Sequence, residues 1–376
     1  VSARAACVVF VMACAGACAG AGAGVSAGAG AGASASAGAS ASASASASKS
    51  PGALPPPTVQ LIAALDGEPQ SIALDATHAY VLTHRQSKWK LSRVSKSGGV
   101  LTTLDDFEAA SLSFAIDDSD AFVGSALVIH EASRGGAFRM AAFGRVSSAP
   151  KSGGTRRTLY EAIGRSTRGL TLAGREIFWL NGAMNGRGVV SVDSIMRTPK
   201  SGGPTTYAAM QQPGATSVTA DESSLYWALE GHADARTGAW PAGAIMSMPI
   251  AGGAPKLVST TSPQPTFVSV DEGYVYWMHE GGGVFRVAKS GRASGTTQTI
   301  ADHASRFVLD DARIFWLTDG GALSRAKDGT GDAESRIVVS APRVLAVDAT
   351  HLYVANASAL WRIDKPAPAI AAAASD

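Results

Sequence analysis

Val268-Ser269-Val270-Asp271-Glu272-Gly273-Tyr274-Val275-Tyr276-Trp277 is an alternating apolar segment ending on an Asp, then a short turn, then a segment with an aromatic pair. Side chains that alternate with a period of two line opposite faces of a strand, so this stretch reads as two strands joined by a tight turn. The frame recurs at Ile72-Ala73-Leu74-Asp75 with Tyr80-Val81, Phe114-Ala115-Ile116-Asp117 with Phe122-Val123, and Leu170-Thr171-Leu172-Ala173 with Phe178-Trp179. It returns at Val218-Thr219-Ala220-Asp221 with Tyr226-Trp227, Phe307-Val308-Leu309-Asp310 with Phe315-Trp316, and Leu345-Ala346-Val347-Asp348 with Tyr353-Val354. In all seven copies the first aromatic stands five residues after the Asp, or after Ala173 where the Asp is missing.

Each copy continues into an apolar strand and a Gly-rich turn that begins at Lys96, Lys151, Lys200, Ile250, Lys289, Lys327 or Lys365. From each turn residue to the next Asp position the distance is 21 or 22 residues. A repeat of about 40 residues with period-two strands and Gly-rich turns is the signature of a propeller blade. The expected fold is all-β: a seven-bladed β-propeller of four-stranded antiparallel blades, A to D. The seventh copy stops after strand C, and the unassigned strand at 58–64 stands where a strand D belongs. The N-terminal strand is therefore expected to complete the last blade and remove a free sheet edge.

The repeats resemble bacterial exported propellers of the Tyr-Trp-Thr-Asp, NHL and TolB-like kind over residues 58–365. Tyr226-Trp227-Ala228-Leu229, Tyr276-Trp277-Met278-His279 and Phe315-Trp316-Leu317-Thr318-Asp319 stand where the first family has its four-letter motif, so the match is partial.

The segment before the repeats is read as an address. Arg4 precedes the apolar run 5–13, which is too short to span a bilayer, and residues 1–18 are expected to be an export signal. Val11-Met12-Ala13-Cys14 resembles a bacterial lipobox and makes Cys14 the expected lipidation site. Ala15-Gly16-Ala17-Cys18 is the second candidate, and ordinary signal-peptidase cleavage among the alanines is the plain alternative. Residues 19–57, rich in Ala, Gly, Ser and Pro, hold too little apolar bulk to offset chain entropy and are expected to be a disordered tether, and 366–376 a disordered tail. The expected location is outside the cytoplasm, on a bacterial membrane through a lipid anchor. All three cysteines lie in the leader, so the repeats carry no disulfide framework.

The formal charge of the chain is +2, and the two cations before residue 57, Arg4 and Lys49, account for it. A formally neutral repeat region lacks the basic footprint of a nucleic-acid binder.

One Asp per blade at a strand-to-turn junction is expected to bond turn amides rather than a metal. One member of each aromatic pair is expected to pack between neighbouring blades. Asp328-Gly329-Thr330-Gly331-Asp332-Ala333-Glu334 spaces oxygen ligands like part of a calcium loop, but it occupies an ordinary turn slot and lacks the bidentate Glu at its place. No cofactor or metal is expected.

From the Asp position to the turn the blades count 21, 34, 27, 29, 18, 17 and 17 residues, so the extra length falls between strands B and C of blades two to four, with a little in blade one. Those loops share a face with the D-to-A connections, where propellers usually bind. They carry His84, Trp89, His130, Glu131, Arg134, Asn181, Asn185, Glu230, His232, Asp234 and Trp240. At the mouth of the same face, five residues before each Asp position, stand Gln70, Leu112, Arg168, Thr216, Thr266, Ser305 and Arg343. Arg168 and Arg343 would suit an anionic group. Trp89, His130, Glu131, Arg134, Arg168, His232, Trp240 and Arg343 are thus the candidate ligand-binding residues.

His130-Glu131 and His279-Glu280 are the pairs that could serve acid–base chemistry, and no nucleophile elbow, zinc helix motif or phosphate loop appears. The expectation is a non-enzymatic, monomeric envelope scaffold that binds a protein or glycan, touches the membrane only through its anchor and does not bind nucleic acid. The alternative is a propeller hydrolase or lyase acting on an extracellular polymer. Neutral loop drift is the plain explanation of the inserts.

Overall fold

Alternating apolar residues broken every few positions by Gly, Asp or Pro can bury both faces only if sheets stack side by side. In a computed structural model of the chain they do. The structure describes residues 58–365 apart from 87, 110, 133–137, 185–189, 232–242, 262–263, 290–295, 329–333 and 338. Among the described residues every regular element is a strand, and the strands form seven four-stranded antiparallel sheets.

Blades one to six span residues 68–108, 111–163, 165–210, 215–261, 265–301 and 306–337, each with its strands side by side in chain order. Blade seven takes three strands from 344–364, and its fourth is Val59–Ala64, paired antiparallel to Ala359–Asp364 from Val59↔Ile363 to Ala64↔Ala359. The expected closure is the one the chain uses, and it leaves the ring without a loose end.

Burial falls from strand A to strand D. In blade one strand A (Glu68–Leu74) is buried at five of seven positions, whereas strand D (Thr102–Glu108) is buried at Phe107 alone. Strands A thus surround the central axis and strands D form the rim. The core is divided into seven apolar clusters, and each spans two neighbouring blades.

The alternation decides which interface each side chain enters. Tyr276 and Met278 of blade five face blade six, while Val275 and Trp277 face blade four. The same division puts Phe178 with blade four and Trp179 with blade two, Tyr226 with blade five and Trp227 with blade three, Phe315 with blade seven and Trp316 with blade five. Both members of each aromatic pair therefore pack between blades, in opposite interfaces, where one was expected. Large aromatics supply most of the area such flat interfaces can remove from water.

Candidate functional site

Because successive strands reverse, the A–B and C–D turns share one face of the ring and the B–C and D–A connections share the other. The first face is given over to holding the ring together. Asp75 Oδ1 accepts the N–H groups of Thr77 and His78, both at 2.8 Å, so the carboxylate forms the turn it was expected to form. Its Oδ2 accepts the Tyr80 hydroxyl at 2.8 Å and the ammonium of Lys151, from the next blade, at 2.9 Å. The turn lysines are thus the partners of the turn aspartates, one blade on.

The pattern runs round the ring as Lys200–Asp117, Lys289–Asp221, Lys327–Asp271, Lys365–Asp310 and, across the closure, Lys96–Asp348. The ammonium also lies 5.1–5.9 Å from the centroid of the preceding blade's Tyr or Phe ring in five interfaces. Burial pushes the Asp221 carboxyl up, but Lys289 and the N–H groups of Ser223 and Ser224 outweigh it and hold the carboxyl at about 2. Asp75, Asp117, Asp271 and Asp348 are held low by the same balance. The one seam without a latch joins blades three and four, where Ala173 and Ile250 occupy the two positions and belong to one apolar cluster. Among the described residues no three His, Cys, Asp or Glu side chains come together as a metal site.

The opposite face carries the inserts. In blade two the insert is an extension of the sheet itself: strand B (Asp120–Ala132) and strand C (Phe138–Pro150) stay paired out to Ala132↔Phe138. Strand A pairs no further than Ser111↔Ala126 and strand D no further than Phe143↔Ile163, so the last part is a two-stranded arm. Its root leans on blade three. Thr167 Oγ1 donates to the carbonyl of Ser125 at 2.7 Å, and a Cβ at Gly144 would lie 3.2 Å from the Arg165 carbonyl carbon. A side chain there would push the arm and blade three apart by a few tenths of an ångström.

Arg168 stands beside that root. The strand A of blade three (Arg165–Ala173) loses register between Arg168 and Thr171, with Gly169 at φ +56°, and the irregularity lies at the mouth of the face. Burial pulls the Arg168 guanidinium below its ordinary value, opposed by the charge of Glu230 at the base of the blade-four insert. Arg168 therefore lies at the mouth of the inserted face, largely buried, with Glu230 as the charge that acts on it.

The other expected site residues divide. Trp89 is 4% exposed, packs between blades one and two, and donates its indole N–H to the Ala109 carbonyl at 2.9 Å, with His84 against its ring at 4.4 Å between centroids. It is a core residue and not part of a binding surface, because its row of strand C is the row that also buries Leu91. Asn181 is likewise buried, its Nδ2 donating to Ser194 Oγ at 3.3 Å. Arg343 is paired with Glu68 across the closure at 3.2 Å, both half exposed. An anion at Arg343 would compete with the Glu68 carboxylate, and the charge of Glu230 acts on Arg168. His130 and Glu131 lie on the arm, opposite Met140 and Arg139. Their side chains, and Cys14, Arg134, Asn185, His232, Asp234 and Trp240, lie outside what the structure describes, as does the centre of the calcium-like turn. His279 accepts the Gly281 N–H on Nδ1 at 2.9 Å and packs against Phe285, so it shapes a turn.

The central channel holds a cavity of about 130 Å³ against strands A of blades five, six, seven and one, with Gln70, Ser269, Ser305 and Arg306 among its lining. A drug-sized ligand needs about 300 Å³ or more. A second hollow of about 390 Å³ lies at blade one among Asp66, Arg85, Lys88, Lys90, Asp106 and Glu108, charges of both signs.

No known protein-family model matches the sequence, and no curated protein matches it. Solved structures do match the fold. The WD40 β-propeller domain of Doa1 superimposes with a TM-score of 0.55 at 14% identity, covering 83% of this chain and 98% of that one. An oligogalacturonate lyase in complex with manganese superimposes with a TM-score of 0.53 at 11% identity, covering 83% and 97%. At these identities the likeness is one of architecture: the chain is similar to propellers of varied function, and it has the propeller fold.

Proposed function

We propose that the chain is a non-enzymatic binding scaffold of the cell envelope that engages a partner through the inserted face of blades two to four. One observation carries this reading: the inserts all rise from one face, while the ion-pair latches that hold the blades occupy the other. The latches tie down the turns of their own face, so a surface that reaches a partner has to be built from the B–C connections of the other. The location rests on the leader, whose short apolar run and lipobox-like end suit export and anchoring.

The test is an affinity capture from an envelope extract with residues 52–376, beside a variant whose inserts in blades two to four are cut to the length found in blade six. The reading expects a partner held by the parent and released by the variant. Equal capture by both, or none by either, would remove its basis and return attention to substrate screening for a hydrolase or lyase.

A further inference from the structure

Blade one stands taller than the blade that closes the ring beside it. Its strand B ends at Arg85, ten residues after Asp75, whereas strand B of blade seven ends at Ala355, seven after Asp348. The B–C turn of blade seven is only three residues, 356–358. Strands B and C of blade one therefore overhang blade seven on the inserted face, and the flank they expose is one wall of the hollow of about 390 Å³.

Period-two alternation sorts that flank by chemistry. Trp89, Leu91 and Phe107 turn toward blade two, so Lys88, Lys90, Asp106 and Glu108 turn the other way, toward blade seven. Across the sheet Lys88 stands opposite Glu108, and Lys90 opposite Asp106. Opposite charges so placed stabilise a sheet when they pair. Here they do not pair: among the described residues none of the four side chains makes an ion pair or a hydrogen bond, although all four line the same hollow. The second wall is the connection from blade seven to blade one, where the Leu65 N–H donates to the Ser358 carbonyl at 2.8 Å and Asp66 pairs with Arg85.

The hollow thus holds an ammonium row on strand C and a carboxylate row on strand D, about one strand spacing (4.7–4.9 Å) apart. Cations and anions are equal in number along its walls, so a ligand of one sign meets as much repulsion as attraction. A ligand with a carboxylate at one end and an ammonium at the other engages both rows at once. A dipeptide, which spans at most about 7 Å when extended, or a shorter free amino acid has the length to bridge them. The volume also clears the roughly 300 Å³ at which small-molecule sites begin.

From this arrangement we propose that the hollow of blade one binds a small zwitterion, a free amino acid or a dipeptide, with its carboxylate on Lys88 and Lys90 and its ammonium on Asp106 and Glu108. This is a second site on the inserted face, and it stands or falls independently of the scaffold reading.

The test titrates the common amino acids and alanylalanine into residues 52–376 by calorimetry, beside N-acetyl-alanylalanine and alanylalanine amide, each of which lacks one charge. The result expected is a bound zwitterion whose affinity falls roughly 5- to 10-fold on loss of either charge, as charged contacts at a part-exposed site do. Lys90→Gln should weaken the zwitterion by a similar factor and leave the affinity for the amide unchanged; Asp106→Asn should do the same with respect to the acetylated form. A merely structural role does not match a variant to one end of a ligand in this way. Lys88→Gln and Glu108→Gln repeat the comparison, and melting temperatures equal to the parent's verify that all four variants fold. No heat from any zwitterion up to about 10 mM, equal binding of the capped forms, or variants that weaken capped and uncapped forms alike would overturn the proposal. So would a neutral oligosaccharide bound in preference to every zwitterion, which would make hydroxyls and not charges the ligand's handle. The envelope capture reads the inserts of blades two to four, so neither result decides the other.

Discussion

Replacing Lys151 with Met should weaken the seam between blades one and two by an amount that can be worked out from the latch. The Lys151 ammonium and the Asp75 carboxylate are 10% and 21% exposed, so neither is well solvated when its partner is lost. Truncating one member of a fully buried pair costs about 3–5 kcal/mol. Asp75 would keep four other hydrogen bonds, two from Thr77 and one each from His78 and Tyr80, and some water. The expected loss is therefore smaller, about 2–3 kcal/mol. For a folded region of this size that lowers the melting temperature by about 3–5 °C. Asp75→Asn in the same background should restore part of the loss, since the orphaned charge is then gone and the amide still accepts from the turn. The assay is thermal and urea unfolding of the parent, the two single variants and the double variant. A coupling below about 0.5 kcal/mol, with the single changes simply adding, would refute the view that the latches hold the blades.

Four further outcomes follow from the same geometry. Asp221 has its carboxyl lowered from 3.8 to about 2, so its contribution is present above the unfolded value and disappears as pH falls through the folded one; urea unfolding should show stability dropping between about pH 4 and pH 2, and less steeply in Lys289→Met. At the unlatched seam, Ala173→Asp or Ile250→Lys alone should destabilise by burying a charge, while the pair together should recover most of the loss, read as melting temperatures of the three variants. Trp227 is fully buried and donates to Gln212 Oε1 at 2.9 Å, so Trp227→Ala should cost about 3–5 kcal/mol, whereas Arg343→Ala, which removes an exposed pair, should cost under about 1 kcal/mol. Deleting the chain before residue 65 strips blade seven of its outer strand and should give a protein that aggregates, seen by size-exclusion chromatography beside the 52–376 form.

The fold was legible because a propeller is built from one local pattern written seven times, and period-two alternation is visible without knowing any distant contact. Closure was legible from what the last repeat lacked. The latches were only half legible, because each Asp bonds its own turn locally while its Lys comes from the next blade. The signal was present in the exceptions: Asp is missing in blade three and Lys in blade four, the offset of one blade that the ion pairs use. Trp89 was misplaced because it was read as part of a loop, when its alternation with Leu91 puts it in a buried row. Arg343 and Glu68 lie 275 residues apart and meet only because the ring closes, so no local reading finds that pair. Arg168 was singled out from its position alone; the approach of its strand to the blade-two arm depends on Gly144 and Thr167, whose roles appear only in three dimensions.

The claim that matters most is that one face binds and the other holds. A photo-crosslinking residue placed at Glu230 on the inserted face, and separately at Ser201 on the latch face, tests it in the envelope itself. The account predicts a discrete crosslinked partner from position 230 and none from position 201. Crosslinks to the same partner from both positions, or from 201 alone, would contradict it.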